Sequence, residues 1–211
     1  TLTFAKFTPG SPPASKQVQA SGGYWLPWIV PRPGGYMAAW ERAMVQLGPD
    51  GAIKYTAPSL KGGFSMVYAP SAVGYAMAYI ASSPTTPGDN VRLQLLDARG
   101  KAVGKARSAG GTADFGAMVA RYISLTWTGG MFVLVYSSTM TPAGSQLRAQ
   151  LLAGSGARVG GAVGVPGCSN RPASIVNLAA AWGGDTLAVA TSGFSSGNSA
   201  RLCVSRLRCE K

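Results

Sequence analysis

The sequence predicts an all-β fold and, within that class, a four-bladed β-propeller. Three observations carry this reading. First, a short glycine-closed turn recurs at Leu47-Gly48-Pro49-Asp50-Gly51, Leu96-Asp97-Ala98-Arg99-Gly100 and Leu152-Ala153-Gly154-Ser155-Gly156. The period of roughly 50 residues is that of a blade-like repeat. Second, Trp127 and Trp182 each precede a Gly-Gly pair set between two apolar runs. Tight hairpins favour glycine there because their central residues take positive φ. Third, the runs beside those hairpins are almost unbroken, as in Met131-Phe132-Val133-Leu134-Val135-Tyr136, whereas the runs leading to the glycine turns alternate, as in Val91-Arg92-Leu93-Gln94-Leu95. Unbroken runs suit strands covered on both faces and alternating runs suit half-exposed ones. A propeller blade changes in this way from its axis to its rim.

Taken in order, residues 24–30 and 36–40 are two strands around a turn at Pro31 and Gly35, and they open the first unit. Residues 64–68 and 73–80, around a turn at Pro70, open the second, with 90–96 as its third strand. The third unit is the clearest: strands at 122–127, 131–136, 146–152 and about 158–165. The fourth repeats its first half, with strands at 174–182 and 186–191, then one at 200–207. The units are therefore about 24–63, 64–121, 122–173 and 174–211. The last stops after its third strand. Residues 2–7 form a strand candidate with no unit of its own, and they are expected to supply the missing outer strand and close the ring, with 15–20 as the rival. An open ring would leave an unpaired edge, which proteins avoid. A β-sandwich of paired hairpins is the alternative.

Composition agrees with one domain. The chain has 211 residues and is 46% hydrophobic, with 29 Gly and 14 Pro. That is enough to bury a core, and short strands joined by Gly/Pro turns mark a sandwich, barrel or propeller. No apolar run approaches the ~18 residues of a membrane-spanning helix. Three cysteines suit an oxidising compartment, and the first residue, Thr1, is read as the product of leader removal or of fragmentation. An extracellular, periplasmic or cell-surface location is the expectation.

The segment Leu125-Thr126-Trp127-Thr128-Gly129-Gly130-Met131-Phe132-Val133-Leu134-Val135-Tyr136, with the Gly156 turn that follows, resembles the repeats of bacterial extracellular β-propellers. There a Trp-x-Gly hairpin with an aromatic-rich second strand precedes an outer hairpin ending in an Asp/Gly turn. Asp50 and Asp97 fit that turn, and Gly154-Ser155-Gly156 departs from it. The resemblance implies a ring of four-stranded blades and a binding or scaffold role, and it assigns no catalytic residue.

The chain has no histidine, which excludes Ser-His-Asp and Cys-His nucleophile systems and the commonest zinc ligand. The acids are Glu41, Asp50, Asp89, Asp97, Asp114, Asp185 and Glu210. Asp50, Asp97 and Asp185 sit at turns, where the side chain bonds nearby backbone. Asp89 lacks the neighbouring oxygens of a calcium loop. Carboxylates gathered at the mouth of the ring could hydrolyse a glycoside; this ranks third, with Asp185 as the residue to test. Thr1 as an N-terminal nucleophile would need a layered α/β fold. No metal or cofactor is expected. Cys168 is expected to pair with Cys203 or Cys209, with Cys203 preferred because the entry loop and the start of the third strand share one end of a blade.

The formal net charge is +12, from 19 Lys and Arg against 7 Asp and Glu. Such a surface attracts anionic partners. Arg92, Arg99, Lys101, Lys105 and Arg107, then Arg148 and Arg158, then Arg201, Arg206, Arg208 and Lys211 fall on outer strands, turns and tail. The leading expectation is a secreted, non-enzymatic module or assembly subunit that docks on a protein or an anionic polymer or surface through this basic rim. Nucleic acid is disfavoured because aromatics do not interleave with the charges. The second expectation is a lectin using Trp25 and Trp28, which cannot share one side of a regular strand, so that one is left for sugar stacking beside Pro27.

Overall fold

The computed structural model describes residues 2–6, 14–18, 28–32, 34–40, 43–56, 64–81, 91–110, 120–138, 146–166, 174–194 and 200–208. They form a four-bladed β-propeller: four small antiparallel sheets set in a ring. The first blade is β3 (Trp28–Arg32), β4 (Gly35–Trp40), β5 (Ala43–Leu47) and β6 (Ile53–Thr56). The second is β7 (Phe64–Ser71), β8 (Gly74–Ile80), β9 (Val91–Asp97) and β10 (Ala102–Gly110). The third is β11 (Ala120–Trp127), β12 (Met131–Ser138), β13 (Leu147–Ala153) and β14 (Arg158–Gly164). The fourth has three strands: β15 (Ser174–Gly183), β16 (Thr186–Phe194) and β17 (Ala200–Arg208). Within each blade the strands follow chain order, and the first strands are the inner ones: β3 packs on β7, β7 on β11 and β11 on β15.

One expectation is corrected here. β1 (Leu2–Lys6) does not join the fourth blade. It pairs with β2 (Ala14–Val18) in a two-stranded sheet, Leu2 opposite Val18 and Lys6 opposite Ala14. Both N-terminal candidates are strands, but they pair with each other across a short connection, which costs less loop entropy than reaching the far end of the chain.

Pro31 and Pro70 also lie differently from expectation. Each sits inside an inner strand, opposite Tyr36 and Tyr75, and the turn comes after it. An innermost strand has a ladder partner on one side only, so a missing N–H can face away from the sheet. The turns themselves close on Gly35 and Gly74, at φ +148° and +146°. A Cβ on Gly35 would collide with the Leu47 carbonyl, and one on Gly74 with the backbone of Asp97 and Ala98.

Burial follows the seams between blades. The first seam packs Val30, Met37, Ala39 and Met44 on Tyr68, Tyr75, Met77 and Leu96. At the second, Val67, Ala78, Ile80 and Leu93 meet Ile123, Leu125, Phe132 and Tyr136. Val133, Val135 and Leu147 meet Ile175, Leu178, Leu187 and Val189 at the third. Alternation along β12 serves two seams at once: Phe132, Leu134 and Tyr136 face the second blade, Val133 and Val135 the fourth. The far face of the fourth blade is open, with Leu202 65% and Val204 55% exposed.

Candidate functional site

Strand direction gives the ring two unlike ends. At one, called the turn end, the first and second strands of each blade meet in tight hairpins, and in the first three blades the third and fourth meet in glycine turns. At the other, the loop end, lie the connections between the second and third strands, two residues in the first blade and longer in the rest, and those from blade to blade.

The carboxylates described at the turn end are occupied locally. Asp97 Oδ1 accepts the backbone N–H of Arg99 at 2.8 Å and of Lys101 at 2.9 Å. Asp50 Oδ1 accepts that of Ala52 at 3.0 Å. Both turns then close on a glycine at φ +77°. Asp185, in the β15–β16 hairpin, accepts the Thr186 hydroxyl at 2.8 Å and Arg208 Nε at 3.0 Å. The Thr186 hydrogen bond, then the Arg208 one, holds its carboxyl below the usual carboxylate range. Asp50 and Asp97 bond nearby backbone as expected, whereas Asp185 is held by a neighbouring hydroxyl and by an arginine of β17. Asp185 is exposed at the end away from the loops and is not placed to act at a mouth built by them.

The loop end is different. Three of the four inner strands begin there with a break in register: β7 between Phe64 and Val67, β11 between Ala120 and Ile123, and β15 between Ile175 and Asn177. Ser65, inside the first break, is the one non-glycine with positive φ among the described residues, at +52°. Bulges re-aim side chains, and they gather beside active sites; strain of this kind is kept where surrounding structure imposes it. Polar groups follow the breaks. Ser137 Oγ accepts the Tyr122 N–H at 3.2 Å, Asn177 Nδ2 donates to Ser192 Oγ at 3.1 Å, and Ser124 Oγ accepts the Ala180 N–H at 2.9 Å, tying β11 to β15.

The connections that leave and enter at this end carry the remaining mid-chain acids. Glu41 follows β4, Asp89 precedes β9, and Asp114 falls between β10 and β11. These three lie outside the described residues, as do Trp25, Cys168 and Cys209. Trp28 is the first residue of β3 and Trp40 the last of β4, so both belong to the loop end. Sequence reasoning had every one of these acids in hand but chose Asp185 to test. The missing signal was strand direction, since an acid after a second or fourth strand falls at one end and an acid after a first or third strand at the other.

The basic residues do not share one end. Arg99, Lys101 and Arg208 lie at the turn end and are exposed, the last paired with Asp185. Arg92, near the start of β9, lies opposite Tyr79, and Arg148 has the same place opposite Tyr136 in the third blade. Arg107, on β10, approaches the Gly156 turn of the third blade, and Arg206 stands exposed on β17. Cys203 is buried in β17, its Sγ 3.7 Å from Ser205 Oγ. Among the described residues no cluster of three His, Cys, Asp or Glu could hold a metal ion.

No family model matches the chain, and no curated protein is similar to it in sequence. Solved structures are similar in fold. An exo-1,5-α-L-arabinanase from a bovine ruminal metagenomic library superposes with a TM-score of 0.55 at 12% identity, over 89% of this chain and 75% of that one. The family-43 endo-arabinanase of Bacillus licheniformis gives 0.51 at 13%, over 87% and 73%. The arabinanase Arb43A of Bacillus subtilis gives 0.51 at 13%, over 87% and 72%. At these identities the likeness is one of fold.

It nevertheless corrects the leading functional expectation. The reading of a non-enzymatic docking module rested on the premise that blade repeats act by presenting surfaces, and the propellers this chain is similar to are glycoside hydrolases. The premise was at fault because a fold does not fix its function. A ring can collect carboxylates from several blades with no linear motif. The absence of histidine excludes only histidine chemistry.

Proposed function

We propose that this protein is a glycoside hydrolase acting on a polysaccharide outside the cytoplasm, with its acid and its base or nucleophile drawn from Glu41, Asp89 and Asp114. The reading is supported by chain order: Glu41 follows β4, Asp89 precedes β9 and Asp114 falls between β10 and β11, next to strand ends on the side where the inner strands are bulged. Hydrolysis of a glycosidic bond needs a protonated carboxyl to give its proton to the departing oxygen. It also needs a second carboxylate, which either attacks the sugar or activates water against it. Neither histidine nor metal is required. Asp97 and Asp50 at the turn end are engaged by backbone donors, and Asp185 is held below the usual carboxylate range by Thr186 and Arg208, which unfits it as a proton donor. Trp28 begins β3 and Trp40 ends β4, and indole is the kind of apolar ring on which sugar faces stack. The resemblance of the Trp127 hairpin to extracellular β-propeller repeats fits a polysaccharide substrate.

Arabinan is the first substrate to test, because the similar propellers are named arabinanases. Reducing-end release should fall about 10²–10⁴-fold in at least two of Glu41→Gln, Asp89→Asn and Asp114→Asn. Asp97→Asn and Asp185→Asn should leave turnover unchanged. Turnover indifferent to all three loop-end substitutions would sink the proposal, and so would the lack of turnover on arabinan and a panel of plant and bacterial polysaccharides.

A further inference from the structure

We propose that Cys203 is bridged to Cys168, and that this bond secures the fourth blade where the other blades use a fourth strand. Cys203 points to the buried face of β17, 2% exposed. Cys209 cannot be its partner. β17 stays extended through Arg208, and a strand rises ~3.3 Å per residue, so Arg208 stands roughly 17 Å from Cys203. A single further residue cannot return to the ~7 Å that a disulfide allows between Cα atoms.

The chain just before Cys168 lies against the strand that holds Cys203. After β14 the Val165 N–H donates to the Leu147 carbonyl at 3.1 Å. The next residue, Pro166, accepts the Ser205 hydroxyl at 2.8 Å. Ser205 and Cys203 are two apart on one strand and share its buried face, with 3.7 Å between Oγ and Sγ. Cys168 is two residues beyond Pro166, a span of at most ~7 Å.

Register shows what the bond replaces. Arg92 opposite Tyr79, Arg148 opposite Tyr136 and Cys203 opposite Thr191 occupy one position in three blades. In the third blade this arginine reaches Gly164 at the end of the fourth strand, where a Cβ would lie 3.7 Å from Nη1. One step along the buried face, Gln94 and Gln150 bond the bulged carbonyls of their fourth strands, whereas Ser205 bonds the linker. The fourth blade thus gives its linker both anchors. Bond formation takes two protons and two electrons from the thiols and passes them to a disulfide-bearing oxidant, which leaves as the dithiol.

The test is a peptide map of protein exported to an oxidising compartment, alkylated without reduction and cut with trypsin. Arg171 is followed by Pro172, so Cys168 falls in 159–201, Cys203 in 202–206 and Cys209 in 209–211. The expected product joins 159–201 to 202–206, with 209–211 alkylated. A link to 209–211, or alkylation of all three cysteines, overturns the assignment. In parallel, Cys168→Ser and Cys203→Ser should each lower Tm by roughly 5–15 °C, and the double variant by no more than either. Cys209→Ser should leave Tm in place. Additive losses would also overturn it.

Discussion

The third and fourth blades begin alike and end differently. Trp127 lies opposite Phe132 and Trp182 opposite Leu187, at the same place in each inner hairpin. Trp127 and Phe132 touch with ring centroids 4.6 Å apart. The third blade then adds β13 and β14, and Gln150 Nε2 holds the Val159 and Gly160 carbonyls of the bulge at 3.2 and 3.3 Å. Both its faces are covered, one by the second blade and one by the fourth. The fourth blade has one covered face and three strands. The repeat therefore dictates the inner hairpin, and what surrounds each blade decides how its outer part is secured.

That contrast can be broken or sharpened by experiment. The largest effect comes from pH, because the first seam differs in kind from the third. It buries phenols, while the third is mainly aliphatic. Burial pushes the Tyr68 hydroxyl far above its ordinary 10.0. Burial also raises Tyr75 and Tyr79, against the opposing pull of Arg32 and Arg92. The unfolded chain ionises these groups near 10 while the folded one keeps their protons. Their contribution is thus whole below that pH and is lost as pH rises through the folded values. Tyrosinate absorbance should appear together with loss of β circular dichroism, and Tyr68→Phe should flatten the pH dependence. Ionisation well before unfolding would contradict it.

Next in size is the paired truncation at the inner hairpins. Phe132→Ala should cost about 3–5 kcal/mol and Leu187→Ala about 2 kcal/mol in urea denaturation. Phe132 is closed in on all sides, whereas the fourth blade can relax toward its open face. Equal costs would mean that the open face is no softer. The smallest is the exchange of clamps. Gln150→Ala strands two carbonyls of the bulge and should cost about 1–3 kcal/mol, against about 1 kcal/mol for Ser205→Ala. Hydrogen exchange should report the first loss at 158–164 and the second at the linker after Val165.

Much of the architecture was legible in the sequence because blades repeat. Gly51, Gly100 and Gly156 all take positive φ, as the recurring turn required. The strands of the third blade fall within one or two residues of where apolar runs placed them. Pro31 and Pro70 misled, because proline forbids a central strand but not an innermost one. The candidate site was less legible. Its three proposed acids share no motif or spacing, and only the alternation of strand direction relates the segments that carry them. Asp185, with its glycine neighbours, drew attention for a local reason that the Arg208 contact then explained.

By itself the sequence determined the class, the number of repeats and the turns, since glycine φ and the alternation of apolar residues act over a few neighbours. The tertiary structure alone decided which strand pairs with β1, which face of each blade is covered and which end of the ring carries the bulged inner strands. Those depend on contacts between segments far apart in the chain, whose cost is loop entropy and whose gain is burial, and neither can be read from a local window.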